Sequence, residues 1–213
     1  MVHMSWTHGG EREMPETEAA VCYLLKKAAP HKVSKTALIK FCYFADLEHT
    51  RRFGTSITDV QWKRDSYGAV AYDIPNVART IPGVDVFDYT TYTNAHGTDF
   101  CAGPEMENLE RDLTAHAKAV LDAVYEKYRY WQAKTMGDAT KKTAPWIAAE
   151  EADQVDLDLS VVAPAPADRF AYMAEVLKSV DLSVQGTPEE IAEFENEVDD
   201  YMLPFRLEAC GDA

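Results

Sequence analysis

The chain has 213 residues, 46% of them apolar, and a formal net charge of -15. Such a length allows one domain with an extension, or two small ones, and the apolar fraction supports a real core, which excludes disorder of the whole chain. The longest unbroken apolar run, Ala19–Leu25, falls far short of the roughly 20 residues a membrane-spanning helix needs, so no membrane partner is expected.

The charge is unevenly placed. Residues 1–150 hold 18 Lys+Arg against 20 Asp+Glu, whereas residues 151–213 hold 3 against 16. An acidic segment of this kind repels phosphate, so direct nucleic-acid binding is not expected, and it favours association with a basic partner. Cys22, Cys42, Cys101 and Cys210 form no C-x-x-C pair, and Met1-Val-His-Met-Ser-Trp lacks the basic and apolar regions of a signal peptide. Both readings point to a reduced, cytoplasmic protein.

Residues 1–16 carry no period and are expected to be a flexible N-terminus. Helical spacing begins at Thr17–Ala29, with Val21, Leu24, Leu25 and Ala28 on one face. A second helix is predicted from Ser34, a good N-cap, to Gly54, a good residue for the left-handed helix end. Between them Ala37–Leu47 is interrupted only by Lys40 and Asp46. A helix apolar on nearly every side is central to its domain, so Ile39, Phe41, Phe44 and Leu47 are expected in the core.

The period then changes. Ile57–Arg64 alternates like a half-buried strand, and Tyr67-Gly68 turns the chain. Val70–Ile81 reads as a short helix with Pro75 in its first turn. Val84–Thr93 and Thr98–Ala102, separated by Asn94-Ala-His-Gly97, read as a β-hairpin. A long amphipathic helix is predicted from Pro104 to Trp131, followed by a shorter one near Ala133–Lys141. Trp146 is expected to plug the core beyond Pro145. Residues 151–167 show no period, and Pro164 and Pro166 mark a linker. Two helices close the chain, the second opened by the capping box Thr187-Pro-Glu-Glu190. The expected fold class is mainly α, a compact helical bundle with a small antiparallel β element made of a short strand plus a hairpin.

No chemistry-bearing motif with the required spacing is present. The six histidines avoid H-E-x-x-H and cysteine pairs, so no metal is expected, and no glycine-rich phosphate loop implies a cofactor. Asp46 and His49 lie three residues apart and could meet as an oriented general base, but no nucleophile accompanies them. Lys40 is the lone cation in an apolar helix; its amine is expected to snorkel to the surface, with a buried lysine of lowered pKa or a partner-contact residue as the alternative. Trp62 is expected in the core, while Tyr67, Tyr72 and Tyr92 belong to an aromatic-rich middle section of the kind that lines interfaces.

Thr36–Gly54 ends in K-x-x-Y-F-A-D-x-x-H, which resembles the opening signature of the Panacea, or SocA-like, antitoxin family. Tyr67-Gly68-Ala69-Val70 is similar to that family's Tyr-Gly-Pro-Val turn, with alanine for proline. Thr143-Ala-Pro-Trp146 resembles its Pro-Trp motif. The family's preceding Leu-Ser-x-Leu-Thr-His stretch is Met136–Lys141 here, which keeps Thr140 but puts Lys141 where histidine stands, so that histidine's role does not transfer. The resemblance covers residues 17–150, leaving 151–213 as an acidic C-terminal helical extension. It implies a mostly helical domain without enzymatic activity or cofactor, which neutralises a cognate protein toxin by direct binding. A proteolytic adaptor that delivers a toxin to a protease is the alternative. An enzyme built on Asp46 and His49 is the remote one. The candidate partner-binding residues are Lys40, Tyr43, Asp46, His49, Tyr67 and Tyr72. Glu193 and Glu197, on the acidic face of the last helix, are expected to steer a basic toxin.

Overall fold

A computed structural model describes residues 14–91, 94–106, 109 and 113–165. Six α-helices and a three-stranded antiparallel sheet make up these residues: α1 (Pro15–Ala28), β1 (Val33–Ser34), α2 (Lys35–Phe53), α3 (Asp73–Thr80), β2 (Val84–Thr90), β3 (His96–Ala102), α4 (Ala115–Tyr128), α5 (Ala133–Thr140) and α6 (Ala144–Glu151). The architecture is mainly α with a small β element, as the sequence pattern implies. The expected helices beyond residue 165, with Glu193 and Glu197, lie outside the described residues, as do Tyr92 and residues 1–13.

Helix α2 is the centre, packing against α1, α3, α4 and α5. Its limits follow local chemistry. Ser34 adopts extended backbone and its hydroxyl accepts from the Ala37 amide, while Gly54 ends the helix at φ 79°, a left-handed conformation that glycine reaches without a Cβ clash. Ile39, Phe41 and Phe44 are buried; Leu47, expected with them, is only half-buried, because it faces a groove beside α4. Phe41 meets Tyr125 of α4 at a ring separation of 5.6 Å, and Phe44 stacks on Tyr128 at 4.3 Å. Such aromatic pairs add to the burial of apolar area.

The hairpin pairs β2 with β3 from Val84↔Ala102 to Thr90↔His96, and the two-residue β1 adds to the other edge of β3. Fully buried Phe100 anchors the sheet to the helices.

Two predicted elements differ. Ile57–Arg64 is not a strand: it makes only isolated bridges, from Lys63 to Val70 and Asp156. A carboxylate of α2 takes the Ile57 and Thr58 amides, and the backbone of 62–64 pairs with Val70, Val155 and Leu157. The helix expected from Pro104 begins instead at Ala115, capped by the Thr114 hydroxyl. Pro104 and Glu105 form a turn, because Gly103 donates to the Gly83 carbonyl and Met106 lies directly against Gly83. Gly83 has φ 78°, and a Cβ there would sit 2.5 Å from the Met106 backbone.

Ala144–Glu151 is a full helix, with Pro145 in its first turn and Trp146 buried. Beyond it the chain turns back: the Leu157 amide donates to the Trp62 carbonyl, and the Arg64 amide to that of Val155.

Replacing Phe41 with alanine is expected to lower the unfolding free energy by about 3–5 kcal/mol, since the ring is buried between α2 and α4. Chemical denaturation of the two proteins measures it, and an unchanged midpoint would remove Phe41 from the core.

Candidate functional site

Four of the candidate residues, Lys40, Tyr43, Asp46 and His49, recur every third position along α2. Each step of three turns the position by roughly 60° around the axis, so neighbours in the row are adjacent on the surface while the row as a whole winds half-way round the helix. All four are buried. Each holds a different piece of the loop-rich half of the domain.

Asp46 is fully buried. One carboxylate oxygen accepts from the amides of Ile57 and Thr58, each at 2.9 Å; the other accepts from the Thr58 hydroxyl and from Trp62 Nε1 at 2.8 Å. Burial outweighs these donors, which favour the charged form, and leaves its pKa raised to about 6. The carboxylate is therefore ionised at neutral pH, as four donors require. This clamp is why 57–62 is a wrapped loop and not a strand.

His49 donates from Nδ1 to the Thr55 carbonyl at 2.6 Å, a tautomer fixed by an oxygen that can only accept. Burial holds its pKa below the usual value. Asp46 and His49 thus face separate partners and do not form an oriented acid–base pair.

Tyr43 stands edge-on to Trp62 at 5.2 Å and shares a 2.7 Å hydrogen bond with the Thr143 hydroxyl. Thr143 gives its own proton to the Thr140 carbonyl, so the tyrosine is the donor. Burial pushes the phenol up to about 12.

Lys40 does not snorkel. Its side chain is only 2% exposed and Nζ donates to the Ala69 carbonyl, which lies in the Tyr67–Val70 turn. Burial lowers its pKa to about 8; the Asp65 charge opposes this and the Lys141 charge adds to it. The amine stays inside because the turn offers a carbonyl nearer than solvent.

That turn is fastened from three sides. Gly68 has φ 94°, and a Cβ on it would lie 2.3 Å from Thr140 Oγ1 and 2.5 Å from the Gly137 carbonyl oxygen. Ala69 N donates to Thr140 Oγ1 at 3.0 Å, and Thr140 passes its proton to the Gly137 carbonyl. Lys141 Nζ donates to the Ser66 carbonyl at 2.6 Å. Asp65 accepts from the Tyr67 amide and, at 3.0 Å, from the Tyr72 hydroxyl. The hydrogen bond from the Tyr67 amide, foremost, holds the Asp65 carboxyl below its usual range. The result is a rigid knuckle with Tyr67 80% and Tyr72 61% exposed.

Sequence reasoning did not single out Asp65, and it met Gly137 and Thr143 only as members of motif stretches, with no role attached. The sequence marked Tyr67-Gly68 only as a turn; the close approach of Gly137 and Thr140 to it comes from about seventy positions away.

The three sequence blocks are thus one packed assembly: the helix with its lysine and aspartate, the Tyr-Gly turn, and the threonines before Pro145-Trp146. A model of this assembly, described as antitoxin SocA-like, Panacea domain, matches residues 38–147. The chain belongs to the SocA-like antitoxin family. No curated protein and no solved structure matches it. In this Panacea domain the family's signature residues are chiefly internal fasteners, and Tyr67 is the one whose ring reaches solvent. Among the described residues no group of three or more His, Cys, Asp or Glu could hold a metal, and no helix is long and apolar enough to cross a membrane.

Asp46→Asn is expected to cost about 1–3 kcal/mol, because the amide still accepts from the Ile57 and Thr58 amides but turns a donor toward Trp62 Nε1. Denaturant titration measures it; a neutral effect would show the clamp to be dispensable. Lys40 gives a pH signature. Between about pH 8 and the ordinary lysine range, the unfolded chain keeps a proton that the folded chain has lost, so the lysine's contribution to stability rises with pH. The stability of the native protein relative to Lys40→Met should therefore climb from pH 8 to pH 10, by roughly 3 kcal/mol at most. Parallel denaturation curves at both pH values test this, and a flat difference would contradict the buried cation.

Proposed function

We propose that the chain is the antitoxin of a toxin–antitoxin pair and neutralises a protein toxin by binding it directly, without catalysing a reaction. Membership of the SocA-like family carries this reading. In it, residues 17–150 are the antitoxin domain, 151–213 are an acidic extension, and the complex forms in the cytoplasm.

The contact surface we assign is the Tyr67–Tyr72 knuckle. Tyrosine is enriched at interface cores because it offers a large ring and a polar tip. Both rings project from a turn whose backbone is already committed to Lys40, Thr140 and Lys141. Lys40 serves this surface as a positioning residue through Ala69, while Tyr43, Asp46 and His49 position the segments at Thr143, 57–62 and Thr55. A nanomolar complex needs about -12 kcal/mol, within reach of a small set of aromatic anchors. Glu193 and Glu197, in the segment of densest negative charge, would speed encounter with a basic toxin in a salt-dependent way.

The test uses the product of the neighbouring reading frame. Expressed alone it should arrest growth, and this chain should restore it. Tyr67→Ala with Tyr72→Ala should abolish the rescue while changing stability by no more than about 0.5 kcal/mol, as expected of exposed side chains. A neighbour that is harmless, or that does not co-purify with this chain, would refute the antitoxin reading. Full rescue by the double variant would refute the assigned surface alone.

A further inference from the structure

The sheet ends in an open strand. In the order β1-β3-β2, β3 is central and β2 is an edge. Two bonds just beyond the ends of the hairpin ladder fix which way the backbone of β2 points. The Gly103 amide donates to the Gly83 carbonyl, and the Thr91 amide to the Ala95 carbonyl. With the register Val84↔Ala102 to Thr90↔His96, the odd-numbered residues of β2 therefore bond to β3, and Val84, Val86, Asp88 and Thr90 aim N–H and C=O outward. The Val84 amide turns back to the Ile81 carbonyl; among the described residues the amides of Val86, Asp88 and Thr90 meet no partner.

An open edge is a template for another strand, and soluble proteins commonly blunt it with proline, lysine or a bulge. β2 reads Val-Asp-Val-Phe-Asp-Tyr-Thr, seven residues without proline or lysine, and its register runs unbroken. Of its two acids, Asp88 is already held by Arg79, at 3.1 and 2.6 Å, and by the Thr98 hydroxyl. The even-numbered side chains share the inner face with buried Phe100. Asp85, Phe87 and Tyr89 stand on the outer face, where both rings are substantially exposed.

This strand complements itself. In an antiparallel pair with a second copy, about a two-fold axis at Phe87, Val86 of one chain opposes Asp88 of the other and Val84 opposes Thr90, so the outward amides and carbonyls meet. On the outer face the two Phe87 rings oppose each other at a non-hydrogen-bonded position, where side chains approach most closely, and each Asp85 opposes a Tyr89. The Lys32 ammonium, 3.4 Å from the centre of the Phe87 ring, shares that face with Asp85 and Asp99. No acid stands directly opposite an acid. The neighbouring registers are worse: one sets Asp88 against Asp88, and the other brings Pro82, which has no amide, opposite Thr90.

We propose that the chain self-associates through β2, forming an antiparallel dimer whose sheet runs continuously through three strands of each copy. One strand pair is a small interface, so the dissociation constant lies in the micromolar range. This dimer is independent of the knuckle and of any toxin bound there.

Sedimentation velocity of the full chain from about 1 to 200 μM tests the proposal, in salt sufficient to screen the net charge of -15. The chain should pass reversibly from monomer to dimer. Phe87→Glu sets two like charges at the axis and changes an exposed side chain, so it should raise the dissociation constant about tenfold or more while leaving the thermal melt in place. In a Cys101→Ser/Cys210→Ser background, Phe87→Cys should crosslink to itself on mild oxidation, and Tyr89→Cys should crosslink with Asp85→Cys. A chain that stays monomeric throughout the range would overturn the proposal, as would a dimer that Phe87→Glu leaves intact or whose Phe87→Cys form does not crosslink.

Discussion

Much of the irregular chain outside the helices depends on hydrogen bonds made by a polar row that winds around α2. A helix buried on most sides can leave few polar groups unsatisfied, because each orphaned group costs about 1–3 kcal/mol; on α2 the buried Thr50 hydroxyl is left without a partner. Lys40, Tyr43, Asp46 and His49 meet that requirement by reaching across to backbone and side-chain groups of segments with almost no regular secondary structure. The row therefore works in both directions. The loops make polar helix positions tolerable in the interior, and the helix gives the loops a fixed path without strand pairing. Buried polar networks of this kind are favourable only when every member is satisfied, which makes them sensitive to single substitutions.

This arrangement separates recognition from architecture. Most of the residues by which the family is recognised in sequence are inside. They specify how the turn and the Pro145-Trp146 helix are mounted, and they carry little information about what the mounted surface touches. Tyr67 is the exception, a signature residue whose ring reaches solvent.

The helices were legible because their signals are local. Ser34 and Gly54 bracket α2 by capping chemistry, and the apolar run between them needs no knowledge of its neighbours. The hairpin was legible from β-branched and aromatic alternation. Ile57–Arg64 misled because alternating apolar residues suggest a ladder, whereas here Ile57, Thr58 and Trp62 are held inward by the Asp46 carboxylate. The segment after Pro104 misled because its apolar spacing fits a helix, whereas the close approach of Met106 to Gly83 is a long-range fact. At the site, the identities of Lys40, Asp46 and the tyrosines were readable, but their roles were not. Whether a lysine snorkels or is captured depends on a carbonyl 29 residues away, and no periodicity encodes that distance.

The contact between Gly68 and Gly137 has a thermodynamic meaning for recognition. Two backbones that touch without intervening side chains leave the turn almost no room to rearrange, and the hydrogen bonds around it close the remaining freedom. Association normally loses free energy to ordering loops and side chains at the interface. A knuckle locked in this way has surrendered that conformational entropy during folding, so whatever closes over the tyrosine rings meets a template rather than a flexible loop. Glycine, usually read as a source of flexibility, is here what makes the surface stiff.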